Sequence, residues 1–194
     1  MADLEAVIDA ITKGIFSAIE ATCLWHSEGD WGGDYWEVGR ESTIQIFAAQ
    51  ALSSVCDSVL LECSTQSFAN LDARARAGRV DVVARRSSET FAVEFKKYDG
   101  YCNLTDDIVR LSEIVASSSH VTGLIFAPVL YRDGRASDIR YLNEWSNEVL
   151  SRLVTLTDGR ATLREVLVPK PGRLPMKVRT ERDSLAVRTI IVGR

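Results

Sequence analysis

Residues 78–97 read GRVDVVARRSSETFAVEFKK, and this stretch decides the fold. Two apolar runs rich in Val, Ala and Phe, residues 80–85 and 90–96, are separated by the polar residues 86–89. Short runs of this kind joined by a few polar residues are typical of a β-hairpin. The stretch therefore predicts two antiparallel strands joined by a tight turn.

Three charged side chains interrupt the apolar strands of this hairpin, namely Asp81, Glu94 and Lys96. If the chain turns at Ser87 and Ser88, Asp81 lies directly opposite Glu94, with Cβ atoms about 5 Å apart. Successive side chains of a strand point to opposite faces, so Glu94 and Lys96 share one face of the sheet. The register thus predicts two carboxylates and one ammonium group together on one face.

Two opposed carboxylates repel each other unless a proton or a cation lies between them. A divalent metal such as Mg²⁺ fits this position, because it prefers oxygen ligands and keeps sites for water and phosphate. A metal held there polarises a phosphoryl oxygen and lowers the pKa of its bound water. Lys96 could orient that water or neutralise charge that develops on phosphorus. The pattern predicts metal-dependent hydrolysis of a phosphodiester.

Elements on both sides of the hairpin complete a mixed α/β domain. Apolar residues at helical spacing predict helices over residues 2–22, 38–55, 104–117 and 136–152. Apolar runs predict further strands over residues 58–62, 121–129, 163–168 and 185–192, and residues 27–36 are predicted as a loop. Together these elements predict one domain, residues 1–194, built on a mixed central β-sheet flanked by helices.

Glu41 is the acidic residue of interest on the second predicted helix. It precedes Ile44 by three residues and therefore lies on the same face as the apolar stripe of that helix. An acid that faces a core needs a partner, which favours a functional role. Alternatively, Glu41 is a residue of the first turn that the helix dipole favours. Both interpretations stay open at this point.

The order helix, three strands, helix and strand, with an acid and a Glu-x-Lys on the hairpin, resembles the PD-(D/E)XK nuclease superfamily. The resemblance covers about residues 38–129 and implies a restriction-endonuclease-like core (αβββαβ). An extra N-terminal helix and C-terminal strands extend this core. One residue departs from the family pattern, because Val80 stands where the family's proline would precede the acid.

The resemblance also implies a role for each matching residue. Asp81 and Glu94 match the acids that bind the metal, with help from the backbone carbonyl of Phe95. Lys96 matches the lysine that assists the attacking water, and Glu41 is similar to the helical glutamate that completes the metal site. The implied activity is Mg²⁺- or Mn²⁺-dependent endonucleolytic cleavage, and the implied substrate is DNA rather than RNA.

Basic residues around the hairpin are candidate contacts to the nucleic-acid backbone. Residues 73–86 carry five arginines against one aspartate, in a chain whose net charge is −4. The candidates for phosphate contact are Arg74, Arg76, Arg79 and Lys97, and Arg110 is a further one. A solvated edge segment is the alternative interpretation of the same arginines.

Composition and the lack of other motifs narrow the class of protein. A chain of 194 residues with 46% hydrophobic and 26% charged residues is typical of a soluble globular domain. The longest apolar stretches are too short to span a membrane, and the acidic start does not match a secretory signal. Four cysteines without metal-ligand spacing indicate a reducing compartment, so we expect a cytoplasmic protein. The chain has only two histidines and no Gly-rich phosphate loop. This argues against a histidine-based mechanism and against a P-loop mechanism.

Two other interpretations of the chain remain. The first is a catalytically inactive module that keeps the nuclease fold and binds nucleic acid or a protein partner, which the acidic net charge favours. The second is a structural domain in which the charged triad is a surface salt bridge. A homodimer would match the need to cut both strands of a duplex, although nothing in the sequence specifies an interface.

Overall fold

The computed structural model describes residues 2–27, 41–67, 78–96, 105–131, 161–167 and 184–193. The helix that the sequence predicts over residues 136–152 lies outside these ranges, as does nearly all of the predicted loop at 27–36.

Within the described ranges, the chain forms three α-helices and six β-strands. The helices are α1 (Ala2–Ser27), α2 (Glu41–Leu52) and α3 (Thr105–Ser117). The strands are β1 (Ser58–Ser64), β2 (Arg79–Arg86), β3 (Glu89–Phe95), β4 (Val121–Tyr131), β5 (Ala161–Leu167) and β6 (Ser184–Val192). A 3₁₀ turn, Thr65–Ser67, follows β1. None of the described helices is long and apolar enough to cross a membrane.

The six strands form one mixed sheet in the order β1-β2-β3-β4-β6-β5. Strands β1, β2 and β3 pair in antiparallel fashion, whereas β3 and β4 are parallel. A parallel pair needs a crossover connection, and α3 lies in the chain between its two strands. Strands β6 and β5 then extend the sheet beyond β4 with antiparallel pairing. The predicted class, a mixed sheet flanked by helices, is confirmed.

The hairpin of β2 and β3 has the predicted register. Val82 pairs with Val93 and Arg86 pairs with Glu89, so the turn consists of Ser87 and Ser88. Ser87 has a φ of 55°, in the left-handed region that tight hairpin turns use. The same register makes Asp81 and Glu94, the next residues beyond the last Val–Val pair, cross-strand neighbours.

The sheet has an apolar core on each face. Helices α1 and α2 cover one face, where Val82, Val93 and Phe95 are fully buried. Helix α3 covers the other face, where Leu111 packs with Ile125. Because side chains alternate along β3, Glu94 faces the α3 side between Val93 and Phe95. The site residues on β3 are therefore presented to α3.

Helix α1 is longer than the predicted span of residues 2–22 and ends at Ser27. The physical reason is that the chain meets no Gly or Pro between Gly14 and Gly29, so nothing in the sequence stops the helix at residue 22. Gly14 itself lies where α1 crosses α2. A Cβ atom at this position would lie 2.6 Å from the Cα of Ala48, so the close approach of the two helices depends on this glycine.

Candidate functional site

The site begins where the β2–β3 ladder ends. Past the pair Val82–Val93, the backbone N–H of Phe95 donates to Oδ2 of Asp81 at 2.7 Å, so a side chain takes the place of a main-chain partner. Asp81 is half-buried, and Glu94 is only 2% exposed. The hairpin thus holds two carboxyl groups side by side at the edge of the core.

The two carboxyl groups strongly perturb each other. Burial, and then the charge of Asp81, raise the pKa of Glu94 from 4.5 to about 8. Burial also raises the pKa of Asp81, although the hydrogen bonds with the Phe95 N–H and with Glu94 oppose this shift. The raised pKa of both groups means that this pair of acids holds a proton more firmly than free carboxyl groups do. The sequence predicted that a proton or a cation must lie between them.

Arg110 on α3 is the main partner of Glu94. Its Nε and Nη2 both donate to Oε1 of Glu94, at 3.0 and 2.6 Å. Nη2 also donates to Oδ1 of Asp107, one turn earlier on the same helix. The stem of Arg110 lies against Gly78, where a Cβ atom would come within 3.3 Å of Cδ. The guanidinium therefore bridges two carboxylates that the fold keeps away from bulk water.

Lys96 joins the same cluster through Asp107. Its Nζ lies 3.1 Å from Oδ2 of Asp107, and the lysine side chain is 25% exposed. The backbone N–H of Lys96 donates to the carbonyl of Phe126 at 2.9 Å, which fixes the end of β3 against β4. Burial opposes the charged ammonium, but the charges of Asp107, Glu41 and Glu94 outweigh burial and raise the pKa of Lys96. Lys96 is held as a cation beside the two hairpin acids.

Glu41 lies on α2, which covers the opposite face of the sheet from α3. It is the first residue of α2, and its charge raises the pKa of both Asp81 and Lys96. Coulomb interactions of this kind are appreciable only over short distances. The structure thus brings together Asp81, Glu94 and Lys96, and Glu41 acts on two of them through its charge.

The residues predicted to contact nucleic acid are only partly described. Arg79 is highly exposed and lies 3.8 Å from Glu62 on β1, outside the carboxylate cluster. Arg74, Arg76 and Lys97 lie outside the described residues. Arg110, expected to contact phosphate, is instead held by Glu94 and Asp107 in this structure.

Asp107 is the site residue that the sequence did not single out. Its side chain is 6% exposed and contacts both cations of the cluster. A signal was present, because Asp107 precedes Leu111 by four residues and Ile114 by seven, which places it on the buried stripe of α3. An acid on a buried stripe needs a partner, and Arg110 one turn later supplies it.

The six charged residues of the cluster can be compared with the needs of a divalent cation. Four carboxylates (Glu41, Asp81, Glu94, Asp107) and two cations (Lys96, Arg110) leave a formal charge of −2 when all are ionised. Oxygen donors and a net negative charge are what Mg²⁺ prefers in a binding site. Among the described residues, however, no group of three or more His, Cys, Asp or Glu is arranged to hold a metal. The bonds from Phe95 and Arg110 occupy one oxygen each of Asp81 and Glu94, and these two acids also hydrogen-bond to each other.

Comparisons with protein-family models, with curated proteins and with solved structures find no match for this chain.

Proposed function

We propose that the protein is a Mg²⁺- or Mn²⁺-dependent nuclease of the PD-(D/E)XK type, with DNA rather than RNA as its substrate. The single observation that carries the proposal is the pair of neighbouring carboxyl groups, Asp81 and Glu94, at the end of the β2–β3 ladder, with the ammonium of Lys96 in the same cluster. A divalent cation between the two acids would relieve their repulsion, as a proton does, and it brings more positive charge.

The order of elements also supports this proposal. Helix α2 is followed by β1, β2, β3, α3 and β4, with only β3 and β4 parallel among these strands. This is the αβββαβ order that the sequence resemblance implies for the family core. Glu41 begins the first of these helices, and the acids lie on the second and third strands.

Each residue of the cluster has a role in this proposal. Asp81 and Glu94 would hold the metal, with the backbone carbonyl of Phe95 and with Glu41 in support. The bound metal would supply an activated water and polarise the phosphoryl oxygen. Lys96, kept charged and in place by Asp107, would neutralise negative charge that develops on the phosphate. Glu94 must give up its proton before it can bind the metal.

Cleavage of plasmid DNA, linear DNA and RNA in millimolar Mg²⁺ tests the proposal. We expect DNA cleavage that chelation abolishes and that Asp81→Asn and Lys96→Met each remove. Arg85→Met is the matched control, because Arg85 is an exposed arginine on the same hairpin near its turn. Cleavage that persists in both site variants, or that survives chelation, would refute the proposal.

A second function is favoured by the way Arg110 neutralises Glu94. A cluster whose buried acids already have cationic partners can be a structural feature of an inactive module that binds nucleic acid or a protein. Calorimetric titration with Mg²⁺ and Mn²⁺ distinguishes the two functions. No heat of binding at millimolar metal favours the inactive module, whereas binding that Asp81→Asn removes favours the nuclease.

A further inference from the structure

Arg110 occupies the position that matters most for metal binding in the proposed nuclease. Its guanidinium donates two hydrogen bonds to Oε1 of Glu94, and Nη2 also donates to Oδ1 of Asp107. The Arg110 side chain is 19% exposed, against 2% for Glu94 and 6% for Asp107. Arg110 is thus the most accessible member of a buried ionic triad, and it has two alternative acceptors.

We propose that Arg110 is a displaceable counter-ion of Glu94, which a divalent cation replaces while Asp107 retains the guanidinium. This inference rests on the proposed metal site, and it concerns how that site is kept stable when no metal is bound.

The charges of the triad explain why Arg110 and the metal compete. A cation bound to the second oxygen of Glu94 would share that carboxylate with the guanidinium, and like charges held on one carboxylate repel strongly in poorly solvated surroundings. Glu94 is too deeply buried to carry its charge alone, so once its proton is lost either Arg110 or a metal must compensate that charge. The metal can take over this function from Arg110.

Asp107 makes the exchange possible. When Glu94 turns to the metal, the bond from Nη2 to Oδ1 of Asp107 keeps Arg110 in an ion pair. Asp107 also lies in the first turn of α3, where the helix dipole stabilises its negative charge. The arginine therefore keeps an acceptor in both states, and neither state leaves a buried charge unpaired.

An arginine side-chain spectrum follows this exchange directly. The full chain, labelled with ¹⁵N, is titrated with MgCl₂ while the Nε–Hε signals are recorded, and Arg110→Lys identifies the Arg110 signal by its loss. We expect the Arg110 signal to move with Mg²⁺ and to saturate with the dissociation constant that calorimetry gives. The signal of Arg85, exposed at the far end of the hairpin, should stay in place.

Metal affinity gives a second measurement. Arg110→Met should bind Mn²⁺ at least about tenfold more tightly than the unchanged protein, when both are compared at a pH where Glu94 is deprotonated, because a competing positive charge is gone. Arg85→Met should bind Mn²⁺ as the unchanged protein does. Both measurements use the metal alone, so neither depends on nuclease activity.

The outcomes separate the two proposals. If metal binds but the Arg110 signal does not move, or if Arg110→Met does not tighten binding, the exchange is refuted. The proposed metal site is not refuted by either result. If the unchanged protein binds neither Mg²⁺ nor Mn²⁺, both the proposed metal site and the exchange are refuted.

Discussion

Replacing Glu94 with Gln should remove most of the pH dependence of the metal-free protein's stability near neutral pH. The pKa of Glu94 is raised from 4.5 to about 8, first by burial and then by the charge of Asp81. Between these two values the folded protein keeps a proton that the unfolded chain has lost. Stability must therefore fall as pH rises through this range, and the contribution is complete only below the lower value.

The size of this effect follows from the two pKa values. Between about pH 5.5 and about pH 8.5, a single group with this shift changes the free energy of unfolding by about 3 kcal/mol. Glu94 is 2% exposed, so solvent screening does not reduce this figure in the way it would for a surface group. The pKa of Asp81 is also raised by burial and acts in the same direction.

Urea unfolding in the presence of a chelator measures the effect at both pH values. We expect the unchanged protein to lose about 3 kcal/mol on going to the higher pH, and Glu94→Gln to lose less than half of that. Glu20→Gln, at an exposed position on α1, should behave as the unchanged protein does. An equal loss in Glu94→Gln, or a stability that rises with pH, would refute the reasoning.

Three further predictions concern the metal, the α3 carboxylate and the helix crossing. Mg²⁺ should raise the midpoint of thermal unfolding more at about pH 8.5 than at about pH 5.5, because protons compete for Glu94; a larger rise at the lower pH would contradict this. Asp107→Asn should cost about 3 kcal/mol in urea unfolding, since it weakens the partners of Lys96 and Arg110 together. A cost below 1 kcal/mol, on the order of a surface pair, would show that these contacts are not coupled. Gly14→Ala should destabilise the protein by about 1–3 kcal/mol through the clash with α2, and unchanged thermal unfolding would show that the helices can separate at no cost.

The hairpin could be predicted from the sequence because its information is local. The polar residues at the turn and the alternation along both strands fix the register, and the register alone places Asp81 against Glu94. Glu41 was harder to assign, because its helical face is readable but its distance from the hairpin depends on how α2 packs on the sheet. The mixed sheet followed from the order of helical and strand patterns.

The partners of the carboxylates could not be predicted in the same way. Arg110 was expected to face phosphate, and only the packing of α3 on the sheet brings its guanidinium to Glu94. The position of Asp107 on the buried stripe of α3 could be read from the sequence, but its contact with Lys96 joins a helix to the end of a strand and could not. Sequence patterns show which residue types lie on a face, whereas the pairing of charges across elements is a tertiary property.

A crystal of the protein grown or soaked with Mn²⁺ tests the central claim most directly, because the anomalous signal of manganese locates the ion without any assay of activity. We expect a single peak that contacts one carboxylate oxygen each of Asp81 and Glu94, with Arg110 on Asp107 alone. Manganese bound elsewhere, with Arg110 still on Glu94 and no peak between the two acids, would contradict the claim.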